Sequence, residues 1–104
     1  MANNKYTIKY SSTFISQFNS ILKYIVHNLK NRIAAENFYD EVINEIEKRS
    51  KNPEGFEKYI STKKRKNTYY KIYVKNYTIF YVVKENTMEV RRILYSRRNF
   101  DKLI

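Results

Sequence analysis

The stretch YYKIYVKNYTIFYVVKENTMEVRRILY, residues 69–95, contains three runs rich in aromatic and β-branched residues. The runs are Tyr69–Val74, Tyr77–Val83 and Met88–Tyr95, and their composition is typical of strands. Short segments separate them, Lys75-Asn76 and one that contains Glu85-Asn86-Thr87, and asparagine tolerates the left-handed backbone that tight hairpins require. The stretch therefore predicts a three-stranded antiparallel meander.

The residues before this stretch predict one strand and two helices. Lys5–Tyr10 alternates polar and apolar residues with the period of a half-buried strand, and Ser11, Ser12 and Thr13 then offer helix N-caps. The first helix is expected to end near Asn28–Asn31, before a second helix that Asn52-Pro53-Glu54-Gly55 brings to a stop. The apolar positions at helical spacing are Phe14, Phe18, Ile21, Leu22, Ile25 and Leu29 in the first helix, and Ala34, Ala35, Phe38, Val42 and Ile46 in the second.

These elements predict an α+β fold in the order β-α-α-β-β-β, as one domain over residues 1–104. We expect an antiparallel four-stranded sheet with the helical hairpin packed on one face. Residues 97–104 are expected to add a closing helical turn through Phe100, Leu103 and Ile104.

Composition excludes several classes of site. The chain has no cysteine and one histidine, which removes disulfides, thiolate nucleophiles, cysteine-based zinc sites and most histidine-based metal sites. We therefore expect no metal and no cofactor. The sequence contains no apolar stretch long enough to span a membrane, so we expect no membrane partner and a cytoplasmic location.

The net charge of +11 is uneven along the chain and points to an anionic partner. Residues 51–104 carry 14 basic and 5 acidic side chains, against 7 and 5 in residues 1–50. Alternation places Tyr69, Lys71 and Tyr73 on one side of their strand, and Arg91, Ile93 and Tyr95 on the side opposite Val90, Arg92 and Leu94. One side of the sheet is thus expected to be apolar and the other basic and rich in tyrosine.

This pattern identifies candidates for nucleic-acid binding, each with a structural alternative. Four consecutive cations in a polar segment suit a phosphate clamp, although they also suit a solvated loop. Tyrosines on the strands can stack bases, but strand tyrosines more often pack a sheet against its neighbours. The candidates are Lys63, Lys64, Arg65, Lys66, Tyr73, Arg91 and Arg97.

The blocks YKIYV (70–74), NYTIFYVV (76–83) and RILYSRRNF (92–100), in this order, resemble the RelE/ParE family of bacterial type II toxins. The resemblance extends from Tyr6 to Ile104 and includes Tyr24-Ile25-Val26 in the first helix. It implies a cytoplasmic toxin that forms a hetero-oligomer with an acidic cognate antitoxin, which is expected to cover the basic sheet. RelE-like members cut messenger RNA on the ribosome without a metal, whereas ParE-like members inhibit DNA gyrase.

Carried over by position, the RelE-like catalytic groups are only partly present. Lys71 is retained and Arg98 matches the arginine after the last strand, whereas Tyr73 and Thr78 replace two expected cations. The C-terminal tyrosine of the family has no counterpart after Tyr95. The catalytic candidates are therefore Lys71, Tyr95 and Arg98, with Arg91 and Arg97 as substitutes.

Three functions remain open from the residues. The chain is a ribosome-dependent endoribonuclease, a non-enzymatic inhibitor of DNA gyrase, or an inactive nucleic-acid-binding relic.

Overall fold

A computed structural model describes residues 6–59, 67–97 and 100. Its elements are β1 (Thr7–Tyr10), α1 (Ser12–His27), α2 (Arg32–Arg49), β2 (Tyr70–Val74), β3 (Tyr77–Lys84) and β4 (Thr87–Tyr95). The predicted α+β fold and its element order are confirmed. Of the predicted closing turn, only Arg97 and the helical Phe100 lie within the described residues.

The four strands form one mixed sheet in the order β1-β4-β3-β2. The meander is antiparallel as predicted, but β1 runs parallel to β4, with Thr7 opposite Thr87 and Tyr10 opposite Val90. A two-residue turn forces neighbouring strands to be antiparallel, whereas β1 and β4 are joined through most of the chain. Nothing in the local sequence therefore fixes the direction of β1.

Both hairpin turns of the meander contain two residues, because Val74 lies opposite Tyr77 and Lys84 lies opposite Thr87. The left-handed positions are Lys75 (φ = 52°) and Glu85 (φ = 56°), rather than the asparagines that follow them. Thr87, expected in the second turn, begins β4. The hairpins thus place a non-glycine residue at a backbone conformation that strains it.

Hydrogen bonds at Ser11 join the start of α1 to the sheet. The Ser11 hydroxyl accepts from the Phe14 amide at 3.0 Å and donates to the Arg91 carbonyl at 2.9 Å. Asn31 caps α2 by accepting from the Ala34 amide at 2.9 Å. The first cap therefore stabilises the helix and also fixes its position over β4.

The main core fills the space between the helical hairpin and the sheet. Phe14, Phe18, Phe38, Val42 and Ile46 face the sheet and are at most 5% exposed. Leu29 was expected to continue this apolar surface but is 56% exposed, since α1 ends at His27. The sheet contributes Tyr70, Ile72, Val74, Ile79, Tyr81, Met88, Val90 and Ile93 to the same core.

Arg49 fastens the segment after α2 to β2. Its Nη1 donates to the Lys71 carbonyl at 2.8 Å and to the Tyr81 hydroxyl at 3.0 Å, while its guanidinium lies 3.7 Å from the centre of the Phe56 ring. The Tyr81 hydroxyl in turn donates to the Pro53 carbonyl at 2.6 Å. These contacts hold the segment so that the Tyr59 amide bonds the Tyr69 carbonyl at 2.7 Å, at the edge of the sheet.

Candidate functional site

The face of the sheet opposite the helices, here called the helix-free face, carries three of the five predicted site residues that the structure describes: Lys71, Tyr73 and Arg91. Residues paired across antiparallel strands share a face, so Lys71, Phe80 and Arg92 lie on the same side, as do Tyr73, Thr78 and Leu94. Tyr69, Phe80, Val82 and Leu94 form an apolar cluster separate from the main core. The sheet therefore buries apolar side chains on its helix-free face as well as against the helices.

Aromatic rings fill the middle of this face. Phe80 is fully buried, with ring centroids 5.4 Å from Tyr59, 6.5 Å from Tyr69 and 4.7 Å from Phe100. Tyr69 thus packs within the sheet, as the structural alternative for the strand tyrosines predicts, whereas Tyr73 is 63% exposed. The cations of this face lie around a closed aromatic centre.

A β-bulge brings two consecutive arginines to this side of the sheet. Phe80 pairs with Arg92, but the next residue, Tyr81, pairs with Val90, which leaves Arg91 without an opposite residue. The strict alternation expected for this strand is therefore wrong. Val90 and Ile93 are both buried in the main core, while Arg91 reaches Tyr69 on the helix-free face.

The charge of Arg91 is already compensated within the chain. Its Nη2 lies 2.9 Å and its Nε 3.1 Å from Oε1 of Glu89, and its Nη1 donates to the Tyr69 hydroxyl at 3.2 Å. Burial disfavours the charged guanidinium, but the hydrogen bonds to Tyr69 and Glu89 outweigh it and raise the pKa of Arg91. Arg91 is thus held as a paired, permanently charged group.

Lys71 lies between two aromatic rings at the other side of the cluster. Its Nζ is 5.6 Å from the ring centre of Tyr59 and 5.3 Å from that of Tyr73. Both distances allow cation-π attraction. Lys71 and the exposed Tyr73 together present a cation and an aromatic face to solvent.

Tyr95 lies on the opposite face of the sheet from Lys71. Its strand partner Tyr77 packs on Phe38 in the main core at 5.3 Å, and the rings of Tyr77 and Tyr95 are 5.8 Å apart. Tyr95 also lines a groove with Tyr24 of α1. The structure therefore does not bring these two catalytic candidates to one phosphate.

Thr78 occupies the position where the resemblance expects a cation, and it is fully buried. Its Oγ1 lies 2.8 Å from the Ser96 hydroxyl, so the side chain ties β3 to the turn after β4. Arg97, in that turn, is exposed. The remaining candidates, Lys63, Lys64, Arg65, Lys66 and Arg98, lie outside the described residues.

Sequence reasoning missed three residues of this face: Tyr59, Glu89 and Arg92. Glu89 stands two residues before Arg91, a spacing that puts both on one side of a strand and was readable as an ion pair. Arg92 donates to the Arg91 carbonyl at 3.0 Å, a contact made by the bulge. Tyr59 arrives from a distant segment, and nothing in its own neighbourhood indicates this.

The described residues hold no group of three or more histidine, cysteine, aspartate or glutamate side chains arranged to bind a metal ion. Among the helices that the structure describes, none is long and apolar enough to cross a membrane.

Comparison with known proteins gives one family match. Residues 8–100 match the family described as ParE toxin of type II toxin-antitoxin system, parDE. No curated protein matches the chain.

Three solved structures are similar to this chain. A chain of the chromosomal ParDE TA system from P. aeruginosa superposes with a TM-score of 0.70 at 10% identity, over 88% of this chain and 97% of that one. The conserved hypothetical protein HP0894 from Helicobacter pylori has a TM-score of 0.48 at 17% identity, over 86% and 93%. A chain of the RelB-RelE antitoxin-toxin complex from Methanococcus jannaschii has a TM-score of 0.46 at 24% identity, over 92% and 99%. At these identities the likeness concerns the fold.

Proposed function

The chain belongs to the ParE toxin family of type II toxin-antitoxin systems, and we propose that it arrests growth by binding DNA gyrase without cleaving RNA. The observation that carries this proposal is the separation of Lys71 from Tyr95 by the thickness of the sheet. Gyrase inhibition is the activity that the resemblance attaches to ParE-like members. The proposal therefore combines the family assignment with a face on which the described residues do not assemble a reaction centre.

Metal-free RNA cleavage makes strict demands on geometry. A base must remove the 2′-hydroxyl proton, cations must stabilise the pentavalent phosphate, and an acid must protonate the leaving oxygen, all within reach of one phosphate. Glu89, a carboxylate of the helix-free face, is paired with Arg91 at 2.9 Å. Thr78 is buried against Ser96, so neither residue supplies a group to the solvent side of the sheet.

The same face suits binding better than catalysis. A rigid aromatic centre flanked by Lys71 and Arg92, with Arg91 held in its ion pair with Glu89, gives a preorganised surface with net positive charge. Aromatic and arginine side chains are the residue types that dominate binding energy at protein interfaces. We infer that this surface contacts the target, with the cations of residues 63–66 and Arg97 adding electrostatic attraction.

We also propose an acidic antitoxin as the resident partner. A net charge of +11 on 104 residues repels itself and attracts polyanions, including nucleic acid, so a protein partner with excess carboxylates neutralises it. The toxin and the antitoxin form a hetero-oligomer. The toxin acts in the cytoplasm, where gyrase works.

Induced expression in bacteria tests the proposal. Growth, plasmid topology and integrity of messenger RNA are followed together, with a small-molecule gyrase inhibitor as the positive control for topology. We expect growth arrest, loss of negative supercoiling and intact messages, all relieved by co-expression of the antitoxin encoded beside the toxin gene. Cleaved messages with unchanged plasmid topology would contradict gyrase binding and support the endoribonuclease alternative.

A further inference from the structure

A groove between the two helices, here called the hairpin groove, is open to solvent and has a volume of about 460 Å³. Leu22 and Val26 of α1 form one wall. The other wall belongs to α2 and consists of Arg32, Ala35, Glu36, Tyr39 and Asp40. The groove belongs to the helical layer and is therefore separate from the helix-free face.

The composition of α1 favours a contact on this side of the helix. Its 16 residues include a single lysine, Lys23, and no arginine, aspartate or glutamate. Phe14 and Phe18 face the main core, whereas Leu22 and Val26 line the hairpin groove. Helices that are apolar around most of their circumference are covered on more than one side. We therefore expect a partner to cover the groove wall that α1 supplies.

Tyr39 provides a rigid aromatic anchor in the hairpin groove. Its ring stacks on the buried ring of Phe18, with centroids 5.6 Å apart and planes 8° apart, yet Tyr39 is 47% exposed. Leu29 and Ile33, in and beside the connection between the helices, are 56% and 70% exposed. An aromatic ring that is already held in place gives contact area at little cost in conformational entropy when a partner binds.

The charged side chains of the groove are exposed and unpaired. Arg32 is the first residue of α2, and Glu36 and Asp40 follow at helical spacing. No ion pair joins these three residues to another side chain in the part of the chain that the structure describes. The dipole of a helix disfavours a cation in its first turn, and α2 has no acidic side chain there to compensate. Arg32 therefore gains from a carboxylate that a partner supplies.

This charge pattern is complementary to itself. One end of the groove wall carries a cation and the rest carries two carboxylates, so a twofold rotation places Arg32 of one copy against Glu36 and Asp40 of the other. An acidic antitoxin segment or a nucleic acid, in contrast, meets two carboxylates and one cation. The groove therefore fits a second copy of this chain better than either of those partners.

The helical hairpin is also the layer in which two copies meet without strong repulsion. Residues 12–49 carry five basic and five acidic side chains, a formal charge of zero, whereas the other residues carry 16 and 5, which accounts for the net charge of +11. Like charges repel at close approach, so contact through the helix-free faces is disfavoured. Contact through the hairpins keeps the basic residues of the two copies apart.

We propose that the hairpin groove binds a second copy of this chain and forms a dimer with twofold symmetry. The Tyr39 rings fill the apolar part of the interface, and Arg32 of each copy pairs with the carboxylates of the other. The helix-free faces stay outside the interface, so the dimer presents this basic surface twice. The inference does not depend on which molecule the helix-free face binds.

Self-association of the full chain tests this proposal. The toxin is separated from its antitoxin, and its mass is followed by sedimentation and light scattering over a range of concentrations. The variants are Tyr39→Ala, Arg32→Glu, and a double variant with Glu36→Lys and Asp40→Lys. Lys48→Glu makes the same change of charge as Arg32→Glu at the other end of α2, where the lysine side chain is 71% exposed, and serves as the matched control. Thermal melts check that each variant is folded.

We expect the wild-type chain to reach twice its mass of 12.7 kDa. Tyr39→Ala, Arg32→Glu and the double variant should each raise the dissociation constant of the dimer by about tenfold or more. Arg32→Glu puts a carboxylate in the first turn of α2, which favours the helix, so loss of the dimer cannot be ascribed to unfolding. Lys48→Glu should stay within about twofold of wild type.

Mixing the two charge variants gives the most specific result. Each variant alone apposes like charges across the twofold axis, whereas a mixed dimer of Arg32→Glu with the double variant apposes opposite charges at both contacts. We therefore expect the mixture to dimerise although each component alone stays monomeric. A contact without twofold symmetry does not give this recovery.

Three results would overturn the inference. The first is a wild-type chain that stays monomeric up to about 1 mM, where even weak interfaces associate. The second is a dimer that Lys48→Glu weakens as much as Arg32→Glu does, or a mixture that does not recover, because another surface then forms the contact. The third is a loss of antitoxin affinity in the groove variants with no change in self-association, which would assign the groove to the antitoxin.

Discussion

Truncation of Phe80 to alanine tests whether the helix-free face has a packed centre. Phe80 has no exposed surface and contacts three other rings, with centroid distances between 4.7 and 6.5 Å. Removing a buried phenylalanine side chain lowers the free energy of unfolding by about 3–5 kcal/mol, which includes the cavity that remains. Each aromatic contact contributes about 0.5–1.5 kcal/mol beyond the area that it buries, which places this site at the upper end.

The loss is large relative to the stability of a chain of this size. Single domains unfold with about 5–15 kcal/mol, so Phe80→Ala should remove a third or more and lower the melting temperature by roughly 15–30 °C. Urea unfolding followed by circular dichroism measures the change, and Phe80→Leu keeps the measurement possible if the alanine variant does not fold. Tyr73→Ala, on the same face but 63% exposed, should change stability by less than about 0.5 kcal/mol. A loss below about 1 kcal/mol for Phe80→Ala would refute the packed centre and leave this face open for a substrate.

Three further predictions concern the scaffold. Burial raises the pKa of four tyrosines above 10.0: Tyr81, Tyr10, Tyr70 and Tyr77. The folded chain therefore retains protons that the unfolded chain loses, so the free energy of unfolding should be constant up to about pH 10 and fall above it. Tyrosinate absorbance in the folded and urea-unfolded chain checks this, and identical titrations would contradict it. Ser11→Ala should lower the free energy of unfolding by about 1–2 kcal/mol in urea titrations, more than Asn31→Ala, because only Ser11 also bonds the sheet; equal losses would contradict this. Glu85→Gly should raise the free energy of unfolding by roughly 0.5–1 kcal/mol, and with it the melting temperature, because glycine adopts the left-handed backbone of this position without strain. Asn86→Gly should not raise it, and no difference between the two variants would refute the strain at Glu85.

The meander and the helical hairpin follow from local sequence because short turns connect their elements. The two-residue hairpin turns at Lys75 and Glu85 allow only antiparallel pairing of the strands that they connect. The direction of β1 had no such constraint, since β1 pairs with the last strand of the chain. The assignment of Leu29 to the apolar surface of the first helix was wrong because its position continues the helical spacing, although α1 already ends at His27.

The site was harder to predict because a bulge changes which residues share a face. The apolar positions Val90 and Ile93 are three residues apart, a departure from the alternation of a regular strand that indicates the bulge at Arg91. Strict alternation instead assigned Arg91 to the side of Ile93, away from Arg92. The contact of Tyr59 with Lys71 depends on how Arg49 holds the segment after α2, and no local pattern encodes such a long-range contact.

The separation of Lys71 and Tyr95 could be predicted only with the bulge in place. Glu89, which precedes the bulge, lies on the helix-free face. Without the bulge, Arg91, Ile93 and Tyr95 would lie on the same face, at every second position after Glu89. One extra residue moves Tyr95 to the side of the helices, where it lines a groove together with Tyr24 of α1. A single irregularity in β4 therefore decides which candidates share a surface.

Inhibition of purified DNA gyrase tests the central proposal most directly. Supercoiling of relaxed plasmid is measured against increasing toxin, and the same preparation is added to a translating extract whose messages are then mapped. We expect supercoiling to be inhibited at toxin concentrations comparable to that of gyrase, while messages on the ribosome remain intact. Unimpaired supercoiling together with cut messages would contradict the account.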